Sequence, residues 1–189
     1  TYLMKFVQPS IGVVTSIGPQ HLATFGSQEN IIKEKMQMME LLPRNGLGVL
    51  NYDNDFIRNY RLKNPVKTVS YGVKSRDVDY YADDITYTRM GSSFTVVHRD
   101  ERVRIETKLL GELNILNILS AICVARHLNV PWSTIQRAAK TMKQVEHRLE
   151  LKTINGYRFI DDAFNSNPVG SAMALEVLSM MPNTRYVVT

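Results

Sequence analysis

Residues 10–51 read SIGVVTSIGPQHLATFGSQENIIKEKMQMMELLPRNGLGVLN. The apolar pattern divides this stretch into three. Residues 10–17 are short and almost continuously apolar, as a strand covered on both faces is. Gly18-Pro19 turns the chain. Ser27 stands where a helix N-cap stands, with Glu29 in the first turn of a helix expected over residues 28–42. Pro43 and Gly46 end that helix, and residues 48–51 (GVLN) read as a second buried strand. Strand, helix and strand in this order predict a crossover unit, and with it an α/β fold built on a parallel sheet.

Downstream, residues 68–107 change to short β-rich runs: TVSYGV, VDYYADDITY, SSFTVVHRD and RVRIETKLL. These are expected as an antiparallel meander, a small β subdomain attached to the parallel core. Gly111 opens an apolar helix over 114–128, and Pro131 precedes another over 133–143. Residues 149–160 (LELKTINGYRFI) contain Asn155-Gly156, a strong two-residue hairpin signal. A helix after Pro168 and a strand at 186–188 would start a further, Rossmann-like α/β unit. A boundary near Arg148 therefore divides the chain: residues 1–148 form part of one domain, and 149–189 the start of a second, too short for a core of its own.

Composition narrows the function classes. With 189 residues, 44% hydrophobic and 22% charged, the chain can bury a core and is not disordered by composition. No apolar run approaches the roughly 18 residues that span a bilayer, so no membrane partner is expected. The first ten residues include Lys5 and Gln8 and lack the apolar block of a signal peptide. The single cysteine, Cys123, excludes an internal disulfide and a multi-cysteine zinc site, and fits a reducing cytoplasm. The net charge of +5 comes from scattered basic residues without a block or interleaved aromatics. That describes a solvated surface with a mild preference for anions, such as phosphorylated small molecules, rather than a nucleic-acid patch.

Three constellations carry chemistry. In the first, His21 lies in the loop after a buried strand, where open α/β sheets bind ligands, and Lys35 follows on the next helix. Taken bare, both have ordinary readings as a hydrogen-bonding loop histidine and a solvated lysine. In the second, GELNILNILSA (residues 111–121), Asn114 and Asn117 share one helix face. Asn114 has an alternative as the helix N-cap. Asn117 interrupts an apolar helix and needs a partner if buried. A carboxamide can pair with the N6/N7 edge of adenine. In the third, HRLELKTINGYRFIDDAFNSNP (residues 147–168), a strand ends in Asp161-Asp162. An asparagine-rich loop follows, with Pro168 suited to a first helical turn. Bare paired aspartates fit metal binding and solvation equally, and Asn167 fits a cap.

Together these segments resemble the Mur ligase superfamily. Ile17, Gly18, His21, Leu22, Phe25, Gly26, Ser27 and Lys35 match its central domain in order and spacing. The resemblance implies that His21 binds Mg²⁺ and that Lys35 is carbamylated by carbon dioxide, becoming an anionic oxygen ligand. Carbamylation needs a neutral amine, so burial or nearby cations are expected around Lys35. Gln37 stands where the family often has glutamate. Asn114 and Asn117 match the asparagines that contact the adenine of ATP, although Leu113 replaces a histidine. Asp162 matches the aspartate that binds the ATP ribose and Arg148 the arginine that reaches the nucleotide. Asn165 has a weaker implied role near the phosphates or substrate, and Asp161 is undecided. His147 and Gly170 depart from the family's glycine and serine.

Within the superfamily, DDAFNSNP resembles the form found in ligases that add D-alanyl-D-alanine to a UDP-N-acetylmuramoyl (UDP-MurNAc) peptide. The implied protein is an ATP- and Mg²⁺-dependent amide ligase working through an acyl phosphate, a monomer when complete. No G-x-x-x-x-G-K-S/T pattern occurs, so the grip on the β- and γ-phosphates is missing. The chain alone is accordingly expected to be inactive and to be part of a longer protein. The alternatives are a folylpolyglutamate synthase-like ligase and a non-catalytic remnant of the fold.

Overall fold

The computed structural model describes residues 4–19, 22–88, 90–164, 168–182 and 184–188. After a short α1 (Met4–Val7), β1 (Ile11–Val14) leads through α2 (Leu22–Phe25) into α3 (Gln28–Glu40) and then β2 (Leu47–Asn51). The expected crossover unit is present, and β1 and β2 pair in parallel. Ser27 caps α3 as expected, its hydroxyl accepting the Asn30 N–H at 3.2 Å. The first strand is shorter than the apolar run, because residues 15–17 leave the sheet to form the loop described below.

A short α4 (Asp55–Arg58) precedes β3 (Lys67–Gly72). Here the sequence expectation fails in one respect. The TVSYGV run is not part of the antiparallel meander, since β3 pairs in parallel with β2 over its full length of ladder. Its apolar composition does not encode direction; only the connection through α4 does. β4 (Tyr80–Thr88) touches β3 in parallel over two residues, then turns into a true meander with β5 (Gly91–His98) and β6 (Glu101–Thr107). The six strands form one sheet in sequence order.

Helices cover this sheet on both faces. Leu47 and Val49 of β2 join Tyr71 of β3 and the inner side of α5 (Glu112–His127), notably Ile115, Leu119 and Ile122. Leu50 instead faces the layer of α3 with Ile31, Met36 and Met39. That two-sided cover explains why every residue of β2 is buried. α6 (Trp132–Thr141) packs beside β6, and Trp132 donates its indole N–H to Glu101 at 3.0 Å.

A second sheet holds β7 (Glu150–Ile154) and β8 (Tyr157–Asp161), followed by α7 (Pro168–Ser179). Its small apolar cluster joins Leu149 and Val177 to Leu110, at the entrance to α5. No strand is formed by 186–188, where one was expected; Tyr186, Val187 and Val188 are exposed and have no sheet partner among the described residues. A lone β-branched run cannot satisfy its backbone without a neighbouring edge. No described helix is long and apolar enough to cross a membrane.

Asn155 and Gly156 both take positive φ (49° and 82°), as the hairpin signal requires. A Cβ on Gly156 would meet nothing within 4 Å. Gly156→Ala is therefore expected to cost only backbone strain, about 1 kcal/mol. Urea unfolding showing no loss for this variant would contradict the turn assignment.

Candidate active site

Because β1, β2 and β3 run parallel, their carboxyl ends share one edge, the edge at which open α/β sheets bind ligands. Asn51-Tyr52-Asp53-Asn54, leaving β2, organises that edge. The buried Asn51 donates through Nδ2 to Thr15 O at 2.8 Å. Asn54 donates to Ile17 O at 2.8 Å while its Oδ1 caps α4. These two side chains hold the loop that leads towards position 21. Asp53 reaches the other way, accepting the N–H groups of Val73 (2.6 Å), Lys74 (3.0 Å) and Ser75 (2.7 Å) in the turn after β3. Burial alone would raise its pKa, but the three backbone donors outweigh it and hold the carboxyl below its ordinary value.

From that turn, Lys74 extends to Glu112 in the first turn of α5, Nζ to Oε1 3.0 Å. Its hydrogen bond and charge interaction with Glu112 raise the lysine pKa. Gly111, not Asn114, occupies the N-cap of α5, with φ 82° and no side-chain cap. A Cβ there would stand 2.9 Å from Val177 Cγ2 and 3.6 Å from Leu149 Cδ1. Glycine thus permits both the positive φ and the close approach of the second sheet's cluster. Asn114 turns inward by one hydrogen bond, Nδ2 to Leu110 O at 2.8 Å. Asn117, three residues on, is exposed, and among the described residues its carboxamide has no partner. The helix is apolar on its core sides only, so this polar interruption carries no burial penalty.

Leu149 brings a second strand of chemistry to the same place. The exposed Arg148 precedes it, its guanidinium stacked 4.3 Å over the Phe164 ring. Asp162 accepts the Leu149 N–H at 3.1 Å through Oδ1, leaving Oδ2 for another donor. Asp161 bonds Lys152 (2.7 Å) and His147 (2.8 Å). Lys152, followed by His147, lowers its pKa to about 2. His147, Glu150 and Asp161 are close enough to share a cation, yet the Lys152 ammonium already contacts both carboxylates. The metal alternative for the paired aspartates thus gives way, at Asp161, to an ion-pair network.

Leu149, which follows Arg148 and donates its N–H to Asp162, packs with Leu110 at the start of α5, the helix that carries Asn114 and Asn117. The structure does not join all the expected residues. His21 and Asn165 lie outside the described residues. Lys35 stands exposed on α3, and the burial expected around it is absent among the described residues. A carbamate oxygen would suit a hard cation such as Mg²⁺, but carbamylation needs the neutral amine, and at the exposed Lys35 burial does not favour it. Sequence reading missed Asn51, Asp53 and Asn54, although three polar residues clustered at the exit of a fully apolar strand were a visible signal.

Residues 1–125 match the family model described as Mur ligase middle domain. The chain belongs to the Mur ligase family. It is similar to the UDP-N-acetylmuramoyl-tripeptide–D-alanyl-D-alanine ligase of Haemophilus influenzae, with 26% identity over 94% of the chain and 38% of the relative. It also resembles the UDP-N-acetylmuramate–L-alanine ligase of Dictyoglomus turgidum, with 32% identity over 96% of the chain and 39% of the relative. Among solved structures, MurF of Thermotoga maritima in complex with ADP superposes with a TM-score of 0.85 at 22% identity, covering 96% of the chain and 42% of that structure. The chain spans about two fifths of the length of the curated relatives it matches.

A depressed carboxyl pKa stabilises the fold above the unfolded value and loses that effect as pH falls through the folded value. Asp53→Asn is therefore expected to be less stable than wild type at pH 7. The gap should persist down to about pH 4 and close below it. Urea midpoints across that range check this; equal midpoints at pH 7 would remove Asp53 from its organising role.

Proposed function

We propose that the protein containing this chain is an ATP-dependent ligase of peptidoglycan precursor synthesis, joining D-alanyl-D-alanine to a UDP-MurNAc peptide. The observation that carries this reading is the meeting of two segments at Gly111. The helix bearing Asn114 and Asn117 starts where the turn bearing Arg148 and the Asp162 carboxylate packs. One side supplies carboxamides suited to an adenine edge, the other a cation for phosphate and a carboxylate for ribose hydroxyls.

In this reading Asn117 orients the base with its free carboxamide, while Asn114 contributes the acceptor oxygen its bond to Leu110 leaves available. Asp162 accepts from the ribose, and Arg148 neutralises phosphate charge. Asn165 has a weaker role near the phosphates or substrate. The grip on the β- and γ-phosphates is assigned to another stretch of the complete protein, because this sequence contains no such loop. His21 and a carbamylated Lys35 would hold Mg²⁺, which would supply charge neutralisation at the transferred phosphate. The substrate's terminal carboxylate takes the γ-phosphoryl group of ATP. The amine of the incoming dipeptide then attacks the acyl phosphate, forming the amide and releasing phosphate. Catalysis rests on positioning and on charge neutralisation rather than on a covalent enzyme intermediate.

The choice of dipeptide rests on the DDAFNSNP segment and on the D-alanyl-D-alanine ligases among the relatives. The L-alanine ligase among them makes the amine donor the decisive assay. With the complete protein, ATP and a UDP-MurNAc tripeptide, D-alanyl-D-alanine is expected to give phosphate release, while L-alanine and glutamate give none. Lys35→Ala should abolish turnover, with partial recovery on adding a short carboxylic acid. Release driven by glutamate would favour the folylpolyglutamate synthase-like alternative, and near-normal turnover of the lysine variant would refute the carbamate.

A further inference from the structure

Arg148 sits between two residues of unusual backbone. His147 has φ 58° and Leu149 φ 48°, the left-handed region that non-glycine residues rarely occupy. Such a turn persists only where its surroundings over-determine it. Beside the bond of Arg148 N–H to Val145 O (3.1 Å), four hydrogen bonds to His147 and Leu149 do so. His147 N–H donates to Glu150 Oε2 (3.1 Å), and His147 O accepts from Phe164 N–H (3.2 Å). Leu149 N–H donates to Asp162 Oδ1 (3.1 Å), and the His147 ring meets Asp161 Oδ2 through Nδ1 (2.8 Å). Three of the four come from the segment leaving β8. The same segment carries Phe164, over which the Arg148 guanidinium lies.

We infer that Asp161 is a positioning residue for Arg148. Its carboxylate holds the His147 ring, and through that ring the left-handed turn that sets Arg148 over Phe164 beside the start of α5. This rests on the ligase reading, in which Arg148 meets the nucleotide. Asp161 itself touches neither substrate nor metal. Lys152 keeps the carboxylate ionised, so it can only accept, and Nδ1 of His147 must carry the proton. Lys152 meets Glu150 Oε2 and Asp161 Oδ2 from the hairpin side, the same two atoms that bond His147. Asp161 touches the turn directly and Lys152 only through these carboxylates, so loss of Asp161 should cost more than loss of Lys152.

The test uses the complete protein and steady-state kinetics in ATP. Asp161→Ala is expected to raise KM for ATP about tenfold and to leave kcat within about twofold, because the lost element binds nucleotide rather than transferring phosphate. Asp161→Asn keeps an acceptor oxygen for Nδ1–H and should recover most of the loss. Lys152→Ala leaves both acceptors of the turn in place and is expected to raise KM clearly less than Asp161→Ala does. In a His147→Gly background, where the ring is gone and positive φ is free, Asp161→Ala should add nothing further. An unchanged KM in Asp161→Ala, an equal rise in Lys152→Ala, or a full additional rise in the His147→Gly background would each overturn the inference. Should the wild-type protein show no ATP-dependent turnover, the ligase reading fails. Amide exchange at Leu149 then tests the hold on the turn separately: faster exchange in Asp161→Ala supports it, and equal exchange overturns it.

Discussion

A single carboxylate ties together the edge on which the whole site depends. Asp53 leaves β2 and accepts three backbone N–H groups from the turn after β3. A hydrogen bond to a charged acceptor is worth on the order of 1.5–3 kcal/mol, whereas an exposed ion pair is worth about 0–1. The Lys74–Glu112 pair, with its lysine largely in solvent, is therefore the weaker link, and it works only because the Asp53 cluster has already fixed the turn beneath it. Asn51 and Asn54 extend the same four-residue segment in the opposite direction, onto the carbonyls of Thr15 and Ile17. One short stretch thus sets both the loop preceding position 21 and the start of α5.

What the sequence disclosed, and what it withheld, follows from the range of the interactions involved. The crossover unit over residues 10–51 was legible because strand and helix periods and the Ser27 cap are local signals. The Asn155-Gly156 turn was legible for the same reason. The direction of β3 was not, since a strand's composition is nearly blind to whether its neighbour runs parallel. Asn114 looked like a cap, yet Gly111 took that position because the approach of Val177 and Leu149 leaves no room for a side chain. That constraint comes from residues far along the chain. Asp161 showed its pattern but not its role, because Lys152 and His147 meet it only after the hairpin closes. The family motifs gave candidate site residues; the clustering of Asn51, Asp53 and Asn54 was visible in the sequence, but which loops they bond appears only in three dimensions.

The join at Gly111 also explains the uneven character of the two halves. The six-stranded sheet has cores on both faces, while the β7–β8 hairpin and α7 share only a small cluster that leans on Leu110. In the proposed reading, a nucleotide site across this join would take its base-binding groups from α5, which packs on the larger core. Its ribose- and phosphate-binding groups would come from the segments at Arg148 and Asp162, held by the turn's own hydrogen bonds. The left-handed residues around Arg148 are the local cost of that arrangement.

A crystal structure of the complete protein with a non-hydrolysable ATP analogue and Mg²⁺ examines this arrangement most directly. The adenine edge should lie within about 3.2 Å of the Asn117 carboxamide, with the ribose against Asp162 and Arg148 at the phosphates. A nucleotide bound while Asn117 faces bulk solvent and the Arg148 turn stands apart from it would contradict the assignment of this site.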